Sequence, residues 1–145
     1  MSASTSPDQL AADLRTVVAR LVKKLRTHSP TRSTLSLTER AVLKLLEQQP
    51  HRLPSELAEL EKVTTQAMSQ ILRHLLALGY ITRQPDATDK RKVLIALAAA
   101  GQEFLQTARQ AREEWLSQAL RQHCSPAELA LLRQALPVLT KLVDA

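Results

Sequence analysis

Between Lys62 and His74 the chain sets a run of side chains that give and take hydrogen bonds but are neither strong acids nor activated nucleophiles: Lys62, Thr64, Thr65, Gln66, Ser69, Gln70, Arg73 and His74. Amides and hydroxyls of this kind match the edges of bases, and Lys and Arg match phosphate oxygens. A second cluster follows at Arg83 and Asp89-Lys90-Arg91-Lys92. The chemistry on offer is recognition of a polyanion. The bland alternative for the first run is an ordinary solvated helix face.

Bond-making chemistry has little to work with. His28, His51, His74 and His123 share no metal-ligand spacing, and there is no Gly-rich phosphate loop, no His-Glu-x-x-His and no paired-carboxylate spacing. No enzyme, cofactor or metal is expected. The single cysteine, Cys124, cannot close an intramolecular disulfide. Beside His123 it reads as a helix-end cysteine, with a redox-sensing thiol as the alternative if it is exposed.

Charge points the same way as the motifs. The 145 residues carry a net charge of +6, which suits a polyanionic partner. The six basic side chains between Lys62 and Lys92 face only Asp86 and Asp89, whereas residues 101–145 hold five of each sign. The chain length fits one domain with a core of its own. Apolar residues make up 44% but aromatics 2%, with only two glycines, which favours a mostly α protein. No apolar run is long enough to span a bilayer, and Met1-Ser-Ala-Ser-Thr-Ser6 does not look like a signal peptide, so a cytoplasmic location is expected.

The elements that must position these residues follow from periodicity and caps. Ser6-Pro7-Asp8-Gln9 opens a first helix with Leu10, Leu14, Val17, Leu21 and Leu25 on one stripe, ending near Thr27. Residues 28–35 read as a polar linker broken by Pro30. A second helix starts at Ser36 as a capping box, or at Thr38 with Leu37 and Val42 as a hydrophobic staple. Its expected buried face is Ala41, Val42, Leu45 and Leu46, and Gln49-Pro50 stops it. A third runs from about Pro54 to Glu61 over Leu57 and Leu60; a fourth opens at Thr64-Thr65-Gln66 over Met68, Ile71, Leu72 and Leu75 and ends at Gly79. Two short helices joined this closely make a helix-turn-helix, whose second helix enters the major groove. Tyr80–Arg83 and Val93–Leu97 then read as strands flanking a polar turn, the hairpin of a winged helix. Phe104, Ala108, Ala111, Trp115 and Ala119 mark a fifth helix, and Ser125-Pro-Ala-Glu128 opens a sixth that Pro137 should kink or break.

This order of elements, with Leu37-Thr38, Glu56-Leu-Ala58, Thr65–Leu75, Leu78-Gly-Tyr-Ile81 and above all Asp89-Lys-Arg91 before Val93–Leu97, resembles the MarR family of bacterial repressors across essentially the whole chain. The resemblance implies that Asp89 orients the wing and Arg91 enters the minor groove. It also implies a small anionic or phenolic effector, for which Arg15, Arg20 and Lys23 on the first helix are candidates, although a solvated basic face is the favoured reading of these residues. Lys62 stands where the family's turn usually has glycine, and Gln70 and His74 stand where many relatives are basic, which implies either a different DNA preference or weaker binding. The peroxide-sensing cysteine of one branch of the family is missing.

The expectation is therefore a single winged-helix domain over residues 1–145. Residues 36–98 form the DNA-binding lobe and helices in 7–27 and 101–145 pair two subunits. The expected function is a sequence-specific repressor, released by an effector, that binds an inverted repeat on double-stranded DNA as a homodimer. A helical protein-interaction module without DNA binding is the alternative.

Overall fold

The computed structural model describes residues 5–28 and 35–145, and among these described residues there are six helices and one hairpin: α1 Pro7–Thr27, α2 Leu37–Gln48, α3 Pro54–Leu60, α4 Thr65–Ala77, β1 Ile81–Pro85, β2 Val93–Leu97, α5 Ala99–His123 and α6 Pro126–Val143. The linker expected around Pro30 falls largely on residues 29–34, outside the described ones. The chain divides into two units, residues 30–109 and residues 1–29 with 110–145, so α5 contributes to both.

In the first unit each helix begins where local chemistry dictates. Ser36 caps α2: its Oγ accepts the Glu39 N–H at 3.1 Å, and Glu39 Oε1 accepts the Ser36 N–H at 3.0 Å. The start at Thr38 is thus ruled out. So is the Leu37–Val42 staple, because Leu37 is 63% exposed while Val42 is fully buried. Glu56 Oε1 accepts the Leu53 N–H in front of α3, and Thr64 Oγ1 accepts the Ala67 N–H at the start of α4.

The helices α3 and α4 end in the same way. The Val63 N–H reaches the Ala58 carbonyl and the Lys62 N–H that of Glu59; one helix later Tyr80 reaches Leu75 and Gly79 reaches Leu76. Both are Schellman ends that need a left-handed residue, supplied by Gly79 at φ 77° and by Lys62 at φ 55°. The tight turn of the helix-turn-helix is therefore kept without its glycine.

The core of this unit gathers Val42, Leu43 and Leu46 of α2, Leu57 and Ala58 of α3, Met68, Leu72 and Leu75 of α4, Ile81 and Ile95 of the hairpin, and Leu105 of α5. Each large side chain fully buried here contributes about 1.5–3 kcal/mol. Two sequence expectations differ. Leu43, not Ala41 or Leu45, is fully buried on α2, and Leu60 is exposed while Ala58 takes its place, because α3 ends at Leu60 and the chain turns away.

The hairpin is antiparallel, in register from Ile81 opposite Leu97 to Pro85 opposite Val93. A third segment joins it at one point. Arg52 and Ile95 exchange both backbone bonds, at 3.0 and 2.8 Å, while Arg52 Nε holds the Leu45 carbonyl at the end of α2. At the base of the hairpin Gly101 passes so close to the Tyr80 carbonyl that a Cβ there would sit 2.2 Å from the oxygen.

In the second unit, His28 stacks on Trp115 at 4.8 Å, fixing the end of α1 on α5. Neither α1 nor α6 has a buried residue. α6 is assigned as one helix through Pro137.

Candidate nucleic-acid interface

α4 is amphipathic in the sense a reading helix requires. Met68, Leu72 and Leu75 are buried with Ile71 beside them, so the helix is held from behind, and Thr65, Gln66, Ser69, Gln70 and Arg73 are exposed on the other side. The exposed side chains differ in what they already bind. Ser69 Oγ donates to the Thr65 carbonyl at 2.9 Å, and Thr64 is engaged as the cap. His74, 46% exposed in its side chain, hydrogen-bonds through Nδ1 to Glu39 Oε2.

Glu39 is therefore committed at both oxygens. Burial raises its pKa, but the Ser36 N–H, His74 and the Ser36 hydroxyl outweigh that, and the carboxyl lies below its ordinary value. Sequence reasoning missed this residue, because a capping-box glutamate looks fully used by its cap.

Arg73 and Arg83 come together with Ser69 around a notch of about 270 Å³, floored by Leu72, Leu76 and Ile95 and edged by Pro54. Arg83 lies directly opposite Ile95 in the hairpin, so its stem can cover apolar surface while its charged head stays in water. Two guanidiniums over an apolar floor can hold an anionic group such as a phosphate.

The wing tip is organised by its own acids. The Asp86 N–H reaches the Lys92 carbonyl at 2.9 Å and the Lys92 N–H that of Asp89 at 3.0 Å, closing the loop. Asp86 Oδ1 accepts the Thr88 N–H, and Asp89 Oδ1 accepts both the backbone N–H of Arg91 at 3.1 Å and its Nε at 3.2 Å. The Arg91 side chain is 92% exposed, so the aspartate aims it without covering it. Lys90 and Lys92 are exposed on either side. Among the described residues no group of three or more His, Cys, Asp or Glu could hold a metal ion, and Cys124 is a half-buried free thiol.

The MarR family pattern matches residues 33–92, which take in α2, the helix-turn-helix, β1 and the wing tip and stop just before β2. An HTH-type transcriptional regulator of Mycobacterium tuberculosis is 34% identical over 139 residues, 96% of each chain. The chain belongs to the MarR family. As a MarR-family protein it is a DNA-binding transcription regulator and not an enzyme, and a protein-interaction module without DNA binding is not favoured. A Pseudomonas aeruginosa protein assigned as a transcriptional regulator shares the fold at TM-score 0.83 with 32% identity, over 97% of this chain and 99% of that one. An S. aureus MepR mutant, solved bound to an oligodeoxyribonucleotide, shares the fold at TM-score 0.70 with 21% identity, over 93% and 96%. For this MarR-family chain no helix among the described residues is long and apolar enough to cross a membrane.

Proposed function

We propose that this regulator is a cytoplasmic repressor that binds an inverted repeat on double-stranded DNA as a homodimer and is released by a small anionic or phenolic effector. The observation that carries the DNA reading is α4: one face fully buried, the other a row of exposed amides, hydroxyls and a guanidinium. α4 enters the major groove, with Thr65, Gln66, Ser69 and Gln70 toward base edges and Lys62, Thr64, Arg73, His74 and Arg83 toward the backbone. Asp89 aims Arg91 into the minor groove, with Lys90 and Lys92 on flanking phosphates. The Asp89–Arg91 bond supports the aim of the wing, and the MepR mutant bound to an oligodeoxyribonucleotide supports DNA as the partner.

The dimer is supported by α1 and α6. Leu10, Val17 and Leu21 on α1 and Leu132, Leu136 and Leu139 on α6 are exposed, and two helices without one buried residue have no core to hold them. Two-fold pairing would cover them, and half-site centres would then lie about 10 base pairs apart or a multiple of that. For the effector, the groove of α1 carrying Arg20, Lys23 and Lys24 offers cations beside apolar surface. In this reading residues 36–98 form the DNA-binding lobe and helices in 7–27 and 101–145 pair the subunits, with Leu105 of α5 also packing into the core of the lobe.

Selection of bound sites from random duplex DNA, with light scattering on the intact protein, tests the reading. An enriched inverted repeat and a dimer mass are expected. A monomer of 16.1 kDa that binds one half-site as tightly as any longer duplex would overturn the dimer.

A further inference from the structure

Building on the placement of α4 in the major groove, we propose that Gln66 and Gln70 choose the base pairs and that each takes an adenine. Every half-site then carries two A·T pairs within two base-pair steps of each other.

Most polar side chains at the start and end of α4 are already committed to hydrogen bonds within the protein. Thr64 Oγ1 is occupied by the Ala67 N–H, the Ser69 hydroxyl proton is given to the Thr65 carbonyl, and His74 is held by Glu39. Arg73 shares its notch with Arg83, a pairing suited to a backbone phosphate. Thr65 sits about 100° round the helix from Gln66, at the margin of the exposed face. Gln66 and Gln70 are left at its centre, opposite Met68 and Leu75, exposed and with no side-chain hydrogen bond to any other described residue.

A carboxamide offers one acceptor and one donor side by side. In the major groove adenine alone presents the complement on one base, a donor at N6 beside an acceptor at N7. Guanine presents two acceptors, which would leave the amide oxygen facing a lone pair. Gln66 and Gln70 are one turn apart, about 6 Å along the axis. Base pairs rise by about 3.4 Å, so the two amides span at most two steps.

The test is site selection with the full chain, followed by analogue and variant binding. Two A·T positions within two steps are expected in each half-site. Replacing either adenine by 7-deaza-adenine, which lacks the N7 acceptor, should weaken binding by about tenfold. Gln66→Arg and Gln70→Arg should each move one of the two positions toward guanine. Gln66→Ala and Gln70→Ala should relax the same positions while leaving the salt dependence unchanged, since no phosphate contact is lost. Circular dichroism checks that each variant folds, and the analogue experiment on the unaltered protein needs no variant. G·C pairs at both positions, or indifference to 7-deaza-adenine, would overturn the adenine assignment and leave DNA binding standing. No enriched site and no salt-sensitive duplex binding would remove the major-groove reading with it.

Discussion

Glu39 and His74, 35 positions apart, meet side chain to side chain and tie the first turn of α2 to the last turns of α4. The same carboxylate closes the capping box of α2, so one buried acid anchors the reading helix to the start of another helix. Its pKa is lowered in the folded state, so the unfolded chain binds the proton more readily. This stabilisation is full above the ordinary carboxylate range and is lost as pH falls through the folded value. Glu39→Gln should cost about 1–2 kcal/mol near neutral pH. Urea unfolding at about pH 7 and about pH 3 should show the gap to the parent narrowing in acid; a gap of equal size at both would count against the linkage.

Lys62 combines a positive φ with a positive charge at the turn into α4. Lys62→Gly removes the charge but keeps the turn. Its thermal stability should stay within about 1 kcal/mol of the parent, since relief of left-handed strain and added unfolded-state freedom oppose each other. DNA affinity should fall at low salt, with a shallower salt slope by about one unit. Parent-like binding and slope would show that Lys62 serves the turn alone.

At the wing, Asp89 holds Arg91 through backbone and side chain together. Arg91→Ala should weaken binding across many sequences while fold and oligomeric state stay as they were. Asp89→Ala should act in the same direction through loss of aim. Titrations of labelled duplexes at several salt concentrations decide this: if Arg91→Ala matches the parent in affinity and salt slope, the wing makes no such contact.

Gly101 is required by contact rather than by backbone dihedral. A methyl group there would meet the Tyr80 carbonyl at 2.2 Å, and that oxygen is backbone, which cannot swing away. Gly101→Ala should therefore destabilise by about 1–3 kcal/mol, as overpacked sites do, despite alanine's better helix propensity. Thermal unfolding measures it, and a variant as stable as the parent would mean that α5 shifts freely at its start.

Most of the elements were legible because each is set by neighbours in sequence. Ser36 and Glu39 form their box within one turn, Gly79 stops α4 locally, and Met68, Leu72 and Leu75 fall on one stripe by the helical period alone. Asp89 and Arg91 were legible for the same reason, since a two-residue spacing suffices for their bond. What tertiary structure decided are the meetings of distant residues. His74 reads in sequence as one more exposed polar side chain, and it is the packing of α2 that brings Glu39 to it; the pairing of Arg52 with Ile95 likewise joins segments more than 40 residues apart. Leu60 continues the apolar spacing of α3, yet only the point where the helix stops leaves it in solvent. Local rules determine which way a side chain faces on its own element, but the partner on that side depends on where the other elements pack.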